Sequence, residues 1–407
     1  MPESPAGQSD GAWQVFMAFL KLGLTSFGGP IAHLGYFRTE FVERRRWLDD
    51  RGYSDLVALC QFLPGPASSQ VGMALGLGRA GWPGLLAAWV GFTLPSAIAL
   101  ILFAFGIAQY QDLADSGGVH GLKVVAVAIV AQAVWGMART LCPDRPRAAL
   151  AILAALLTLA LPSAAGQIVA IVAAGLIGRW GLQTAQPAGG QAHAYPVSPG
   201  LGIAALLVFA ALLIGLPLWA AASGSATVAL LEGVYRSGAL VFGGGHVVLP
   251  LLQASVVPGG AVSNADFLAG YGAAQAVPGP LFTFAAYLGA LAEPGPAGLV
   301  TAAIALVAVF LPGLLLLVGV LPFWNTFRTK RPAQAIMRGA NAAVVGILAA
   351  ALYDPVFVTA IVDHATFALA LVCFALLVSW RTPPWVVVLV GATGGALLAL
   401  LALLTHS

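Results

Sequence analysis

Apolar runs separated by short polar stretches fill the chain from residue 13 onward. Leu85–Gln109, Val119–Ala138, Leu201–Ala222, Leu299–Leu321 and Trp385–Leu404 reach the roughly 20 residues that a helix needs to cross hydrocarbon. Ala148–Leu161, Gly166–Trp180, Met337–Leu352 and Ala365–Trp380 are shorter runs of the same kind. All are continuous and rich in Leu and Ala, without the alternation of a membrane β-barrel. Four other apolar segments, about Trp13–Phe37, Ser54–Gly78, Thr227–Leu249 and Ala265–Leu291, carry Gly and Pro at their centres. The pattern predicts an all-α polytopic membrane protein of about nine to ten crossings with up to four broken segments.

The pattern also repeats. Phe27-Gly28-Gly29-Pro30 returns as Phe242-Gly243-Gly244-Gly245-His246, and Gln61-Phe62-Leu63-Pro64-Gly65-Pro66 as Gln275-Ala276-Val277-Pro278-Gly279-Pro280. Leu94-Pro95-Ser96 matches Leu311-Pro312-Gly313, Lys21 matches Arg236, and Lys123 matches Arg338, all at an offset of roughly 211 to 217 residues. Ordered matches at one offset mark an internal duplication. The expected organisation is a tail over 1–12, a first repeat over 13–180, a polar linker over 181–200, a connecting helix over 201–222 and a second repeat over 227–407.

Charge placement orients the halves. The loop Arg38–Arg51 holds Arg38, Arg44, Arg45, Arg46 and Arg51, while its repeat partner near Leu251–Asn264 holds no base. Tyr110–His120 carries Asp112 and Asp115, and its partner carries Arg328, Lys330, Arg331 and Arg338. Arg139, Arg145 and Arg147 face a partner loop with Asp354 and Asp363. Basic loops stay cytoplasmic, so a bias that reverses at every comparison predicts two inverted-topology repeats. Parity then makes the Pro-Gly-Pro segments re-entrant. Their Gly/Pro-broken helices would enter from opposite faces and meet near the bilayer midplane.

Composition narrows the chemistry. Only 18 basic and 15 acidic residues occur among 407, about a third of the usual share for a soluble domain. A soluble enzyme, a disordered chain and a nucleic-acid partner are excluded, and the lipid bilayer becomes the main solvent. Cys60, Cys142 and Cys373 have no metal-binding or disulfide spacing. The N-terminus lacks the basic region of a signal peptide, so the first apolar run is expected to remain in place. No nucleotide-binding or hydrolase motif is present, and neither a metal nor a cofactor is expected.

The breaks carry the candidate site. Proline removes an N–H and clashes with the preceding turn, yet suits the first position of the next helix. Pro66 and Pro280 would therefore start helices whose free N–H groups offer an anion site without a formal charge. Ser68, Ser69 and Thr283 add hydroxyls, and Gln61 and Gln275 add amides. The alternative is that Pro-Gly-Pro merely kinks packed helices, and that Gly28, Gly29, Gly243, Gly244 and Gly245 serve close helix packing. Lys21 and Arg236 lie in apolar runs, where a charge either faces a cavity and attracts anions or snorkels to the interface. His33 and His246 are proton carriers or hydrogen-bonding residues. Asp55 and Asp266 are expected to cap the hairpins.

Taken together, Phe27-Gly28-Gly29-Pro30, Phe62-Leu63-Pro64-Gly65-Pro66, Phe242-Gly243-Gly244-Gly245-His246-Val247-Val248-Leu249-Pro250 and Gln275-Ala276-Val277-Pro278-Gly279-Pro280-Leu281-Phe282-Thr283 resemble the chromate ion transporter family in its long, two-halved form. The resemblance implies a secondary transporter exporting chromate across the bacterial inner membrane, driven by the proton motive force, with sulfate as a related oxyanion. It carries site roles to Gly28, Gly29, Pro30, Pro64, Gly65, Pro66, Gly243, Gly244, Gly245, His246, Pro278, Gly279 and Pro280. The residues alone leave open another oxyanion or an uncoupled anion channel. A homodimer is compatible with the apolar surface but not specified by it.

Overall fold

The computed structural model describes residues 11–109, 116–161, 163–182, 195–241, 248–293, 295–324 and 330–406. Among these residues the chain is helical, with no strand. The first half contains α1 (Ala12–Thr25), α2 (Gly29–Phe37), α3 (Asp50–Phe62), α4 (Ala67–Gln109), α5 (Gly117–Leu141), α6 (Arg145–Ala160) and α7 (Ala164–Gly181). The peripheral helix α8 (Pro199–Ser223) follows. The second half contains α9 (Ala226–Leu240), α10 (Val248–Val256), α11 (Asn264–Ala276), α12 (Phe284–Ala292), α13 (Ala297–Val320), α14 (Arg331–Ala351), α15 (His364–Val378) and α16 (Pro384–His406).

Six described helices are long and apolar enough to cross a membrane: Ala67–Gln109, Gly117–Leu141, Pro199–Ser223, Ala297–Phe323, Gln334–Ala360 and Pro384–Leu401. Their outer faces expose Leu102, Leu207, Ile214, Leu218, Val300 and Leu401. Such a surface has no place in water and fits lipid. Trp13, Trp180 and Trp380 are also exposed, as expected of rings that settle at a membrane–water boundary.

Helix α4 is two helices. Ala80 (φ −137°) and Gly81 (φ 62°) interrupt it, and a Cβ on Gly76 would overlap the Gly84 carbonyl oxygen. In a straight helix residues 76 and 84 would stand about 12 Å apart, so the chain reverses there. The second half makes the same reversal between α12 and α13, where Gly289 packs against Thr301 and Ala302.

The contacts of one half recur in the other with partners exchanged. Helix α1 packs on α4, and its counterpart α9 packs on α13. Helix α5 packs on α15 and α16 from the second half, while its counterpart α14 packs on α6 and α7 from the first. Small residues make the crossings close. A Cβ on Gly121 would strike the Gly391 carbonyl, and one on Gly339 would strike the Ala174 carbonyl. The largest core cluster accordingly mixes both halves, with Leu100, Ala126 and Ala170 beside Phe267, Val309 and Val344.

The hairpin caps differ from expectation at one site. Ser263 caps α11, and Asp266 completes that cap by accepting from the Ser263 hydroxyl. In the first half Asp49, not Asp55, accepts from Gly52 N–H at the start of α3. Asp55 lies one turn further on and accepts from Trp324 Nε1 at 3.3 Å. The carboxylate three residues before the first bonded amide reaches it; one inside the helix does not.

Candidate functional site

Each Pro-Gly-Pro motif is built by the same local rule. A residue before proline is driven out of the helical region, so Leu63 (ψ 146°) and Val277 (ψ 137°) end α3 and α11 in extended conformations. Gly65 and Gly279 take φ +118° and +98°, which side chains avoid. The chain then restarts as α4 after Pro66 and as a short 3-10 turn, Leu281–Thr283, after Pro280. The Gly-Gly motif of the first half breaks similarly. Helix α1 ends at Ser26, Gly28 and Gly29 adopt positive φ, and Pro30 opens α2.

The breaks meet across the halves. Gly65 N–H donates to Val241 O at 2.7 Å, and Gly279 N–H donates to Ser26 O at 2.9 Å. Ser26 and Val241 are themselves repeat equivalents, each the residue after its helix. The glycines also match in their steric surroundings. A Cβ on Gly65 would lie 3.0 Å from Gly313 Cα, and one on Gly279 would lie 2.9 Å from the Ser96 hydroxyl, at the equivalent position. Gln70 adds a cross-brace. Its buried Nε2 donates to Pro64 O and to Gly313 O, both at 3.0 Å, tying the first break to α13.

Several polar groups around this junction have no protein partner. Ser26 Oγ, Ser69 Oγ, Gln70 Oε1 and Gln275 Nε2 are buried and unbonded. Each such group costs about 1–3 kcal/mol unless something completes it. The amides of Ala67, Ser68 and Ser69 precede the first intrahelical bond of α4, from Gln70 N–H to Pro66 O. His33 lies in the same layer. Its ring nitrogens are 3.4 Å from Ser68 Oγ and 3.2 Å from Ser26 O, and it stands edge-on to Phe92. The junction therefore offers hydroxyl, amide and backbone N–H donors in a buried setting with no formal positive charge.

Several expected residues stand at the surface or already have a protein partner. Gln61 is exposed, on the other side of α3 from Leu59 and Cys60. The Thr283 hydroxyl donates to Pro280 O at 2.8 Å, which commits its proton. Lys21 is exposed and its charge acts on Glu40, beside Arg44 and Arg45. Burial disfavours the charged form of Glu40, yet the hydrogen bond from Arg45 and the charges of Arg45, Arg44 and Lys21 hold its carboxyl below the usual range. Arg236 is not a free base: its guanidinium lies 3.1 Å from the buried carboxylate of Glu232, one turn earlier. Gly243, Gly244, Gly245 and His246 lie outside the described residues.

Sequence reasoning missed Ser26, Gln70, Ser96 and Glu232. Glu232 was legible, since a carboxylate four residues before an arginine in an apolar run is an ion-pair signal. Ser26 sits directly before Phe-Gly-Gly, a weaker cue. The Gly313 partner of Gln70 and the Gly279 contact of Ser96 come from more than 180 residues away and leave no local trace.

Comparison with known proteins agrees with this architecture. The Chromate transporter family matches residues 13–179 and 228–396, one stretch in each half. The chain is 28% identical over 401 residues to the chromate transport protein of Pseudomonas aeruginosa, covering 94% of this chain and 90% of that one. It is 28% identical over 402 residues to the chromate transport protein of Cupriavidus metallidurans, covering 96% and 92%. The uncharacterized transporter YwrA of Bacillus subtilis is 38% identical over 98 residues, 24% of this chain but 55% of that shorter one. No solved structure matches the chain. With both halves matched and its helices faced with apolar side chains, this multi-pass membrane protein belongs to the chromate transporter family.

Proposed function

We propose that the protein exports chromate, or a related tetrahedral oxyanion such as sulfate, across the bacterial inner membrane as a secondary transporter. The observation that carries this reading is the reciprocal pairing of the breaks, Gly65 to Val241 and Gly279 to Ser26. Around it Ser26 Oγ, Ser69 Oγ and Gln275 Nε2 are buried donors that lack acceptors, which is what a dianion with four oxygens supplies; the unbonded Gln70 Oε1 is itself an acceptor. Helix starts and hydroxyls suit such an ion because they stabilise charge without fixing a permanent counter-ion, so release stays fast. Two inverted halves that exchange partners at the same junction would open it to each side in turn.

Direction follows from the membrane potential. With the interior negative, outward movement of a dianion is favoured by about 4.6 kcal/mol per 100 mV, twice the single-charge value. Proton entry would add to that driving force. His33, held between Ser68 and Ser26 O, is the proton-carrying candidate within the described residues.

The test is chromate uptake into inverted vesicles, with a pH gradient imposed at clamped voltage. Ser69→Ala and Gln275→Leu should each lower the rate ten-fold or more, the effect of losing one hydrogen bond to a charged group. Unchanged rates in both variants would remove the junction as the oxyanion site. Flux indifferent to the pH gradient would replace the coupled transporter by an uncoupled pathway.

A further inference from the structure

A cavity of about 310 Å³ lies away from the junction, between helices of both halves. Thr158 and Leu159 of α6, Gln167 of α7, Gln253 and Ala254 of α10, Asn264 of α11, and Ala350 and Ala351 at the end of α14 line it, with Asp354 just beyond. It opens at the end of α6 opposite to Arg145 and Arg147.

Among the described residues, the one buried side-chain atom of this lining that lacks a partner is an acceptor. Gln167 is 5% exposed, and its Nε2 donates to Pro250 O, which leaves Oε1 buried with no partner. Gln253 Nε2 donates to Asn264 Oδ1, Asn264 Nδ2 donates to Thr359 Oγ1, and the Thr158 hydroxyl donates to Ala154 O. Asp354, an exposed residue, stands in the lining at the mouth of the cavity, and no basic side chain is in the lining among the described residues. The backbone agrees. Helices α6 and α10 end at the cavity and present their carbonyl ends, where the helix dipole is negative, while α14 runs on past it as a π-helical segment, Leu352–Phe357. The two helices that start there, α7 and α11, are capped by the hydroxyls of Ser163 and Ser263. The unpartnered Gln167 oxygen, the Asp354 carboxylate and the carbonyl ends of α6 and α10 favour a cation over an oxyanion.

We propose that this cavity is a binding site for a monovalent cation of the sodium class, distinct from the oxyanion junction. Oxygen ligands select hard ions. One carboxylate balances one positive charge, where a divalent ion site would gather two or three. The volume accommodates the ion with several waters, each occupying about 30 Å³, so Asp354, Gln167 Oε1 and the helix-end carbonyls act on a partly hydrated ion. The site goes beyond oxyanion transport, and cation binding does not require that reading to hold.

The experiment uses the full-length protein in detergent and in buffer free of chromate and sulfate, so cation binding is read independently of transport. The thermal midpoint is followed against NaCl, sodium gluconate and choline chloride at matched ionic strength, with equilibrium dialysis of ²²Na⁺ alongside. The expected result is a saturable rise with both sodium salts and none with choline chloride, and about one ²²Na⁺ per chain. Asp354→Asn and Gln167→Leu should each weaken the apparent sodium affinity ten-fold or more. A shift that follows chloride, equal shifts in choline and sodium, no dialysis binding, or full sodium affinity in either folded variant would overturn the proposal. Should one variant fail to fold, the other and the wild-type dialysis still decide.

Discussion

At the scale of single residues, the second Pro-Gly-Pro motif makes the sharpest prediction. Gly279 holds φ +98° with Ser96 Oγ and Phe92 O nearest to where a Cβ would stand, at 2.9 and 3.1 Å. Gly279→Ala then costs about 1–2 kcal/mol in backbone strain, with the steric conflict in addition. Ser96→Ala removes the nearer atom but neither Phe92 O nor the strain. The double variant Gly279→Ala/Ser96→Ala should therefore lose less stability than the two single losses summed, by about 0.5–1.5 kcal/mol of coupling. Chemical unfolding of the four combinations in detergent measures it. Additive losses would mean that the hydroxyl yields freely and the contact is slack. The prolines and glycines themselves were legible in the chain, because their backbone restrictions are local. Ser96 as the wall facing Gly279 was not, because that contact joins the halves.

At the scale of helices, the ends are where sequence and structure agree most closely. The apolar runs ended near residues 78 and 138, where the structure has the Ala80–Gly81 reversal and the end of α5 at Leu141. Short side chains fix other ends through caps, and α15 is the fullest case. Asp363 accepts from Thr366 N–H at 2.7 Å while the Thr366 hydroxyl engages Asp363 in return. The backbone and hydroxyl donors of Thr366 hold the Asp363 carboxyl below its ordinary range. A carboxyl whose folded pKa is depressed stabilises the fold fully above its unfolded pKa, near 3.9, and loses that contribution as the pH falls through the folded value. Thermal midpoints of the wild type and Asp363→Ala should therefore differ at pH 7 and converge below about pH 4. A gap that stays constant with pH would show that the charged cap contributes nothing there. Such a cap was not singled out from sequence, since Asp363 read first as a member of an acidic loop.

At the scale of the whole molecule, duplication was legible and exchange was not. An offset of roughly 215 residues pairs Lys21 with Arg236 and Gly65 with Gly279, but it says nothing about which half packs on which. The structure has α5 on α15 and α16, and α14 on α6 and α7, so neither half closes its core without the other. That arrangement sets a condition on topology. If the halves are inverted, equivalent loops must sit on opposite faces of the membrane, although their helices share one core. Arg46 and Gly259 are exposed residues of equivalent loops, one in the paired basic stretch with Arg38, Arg44 and Arg45, the other in a loop without bases. Cysteine placed at each in a chain lacking Cys60, Cys142 and Cys373 reports its side through a membrane-impermeant maleimide. In intact cells Gly259→Cys should label and Arg46→Cys should not; in inverted vesicles the pattern should reverse. Labelling of both from one side would make the halves parallel. The charge reversal between Arg38–Arg51 and its partner would then need another cause, and an alternating pathway between opposed hairpins would have no basis.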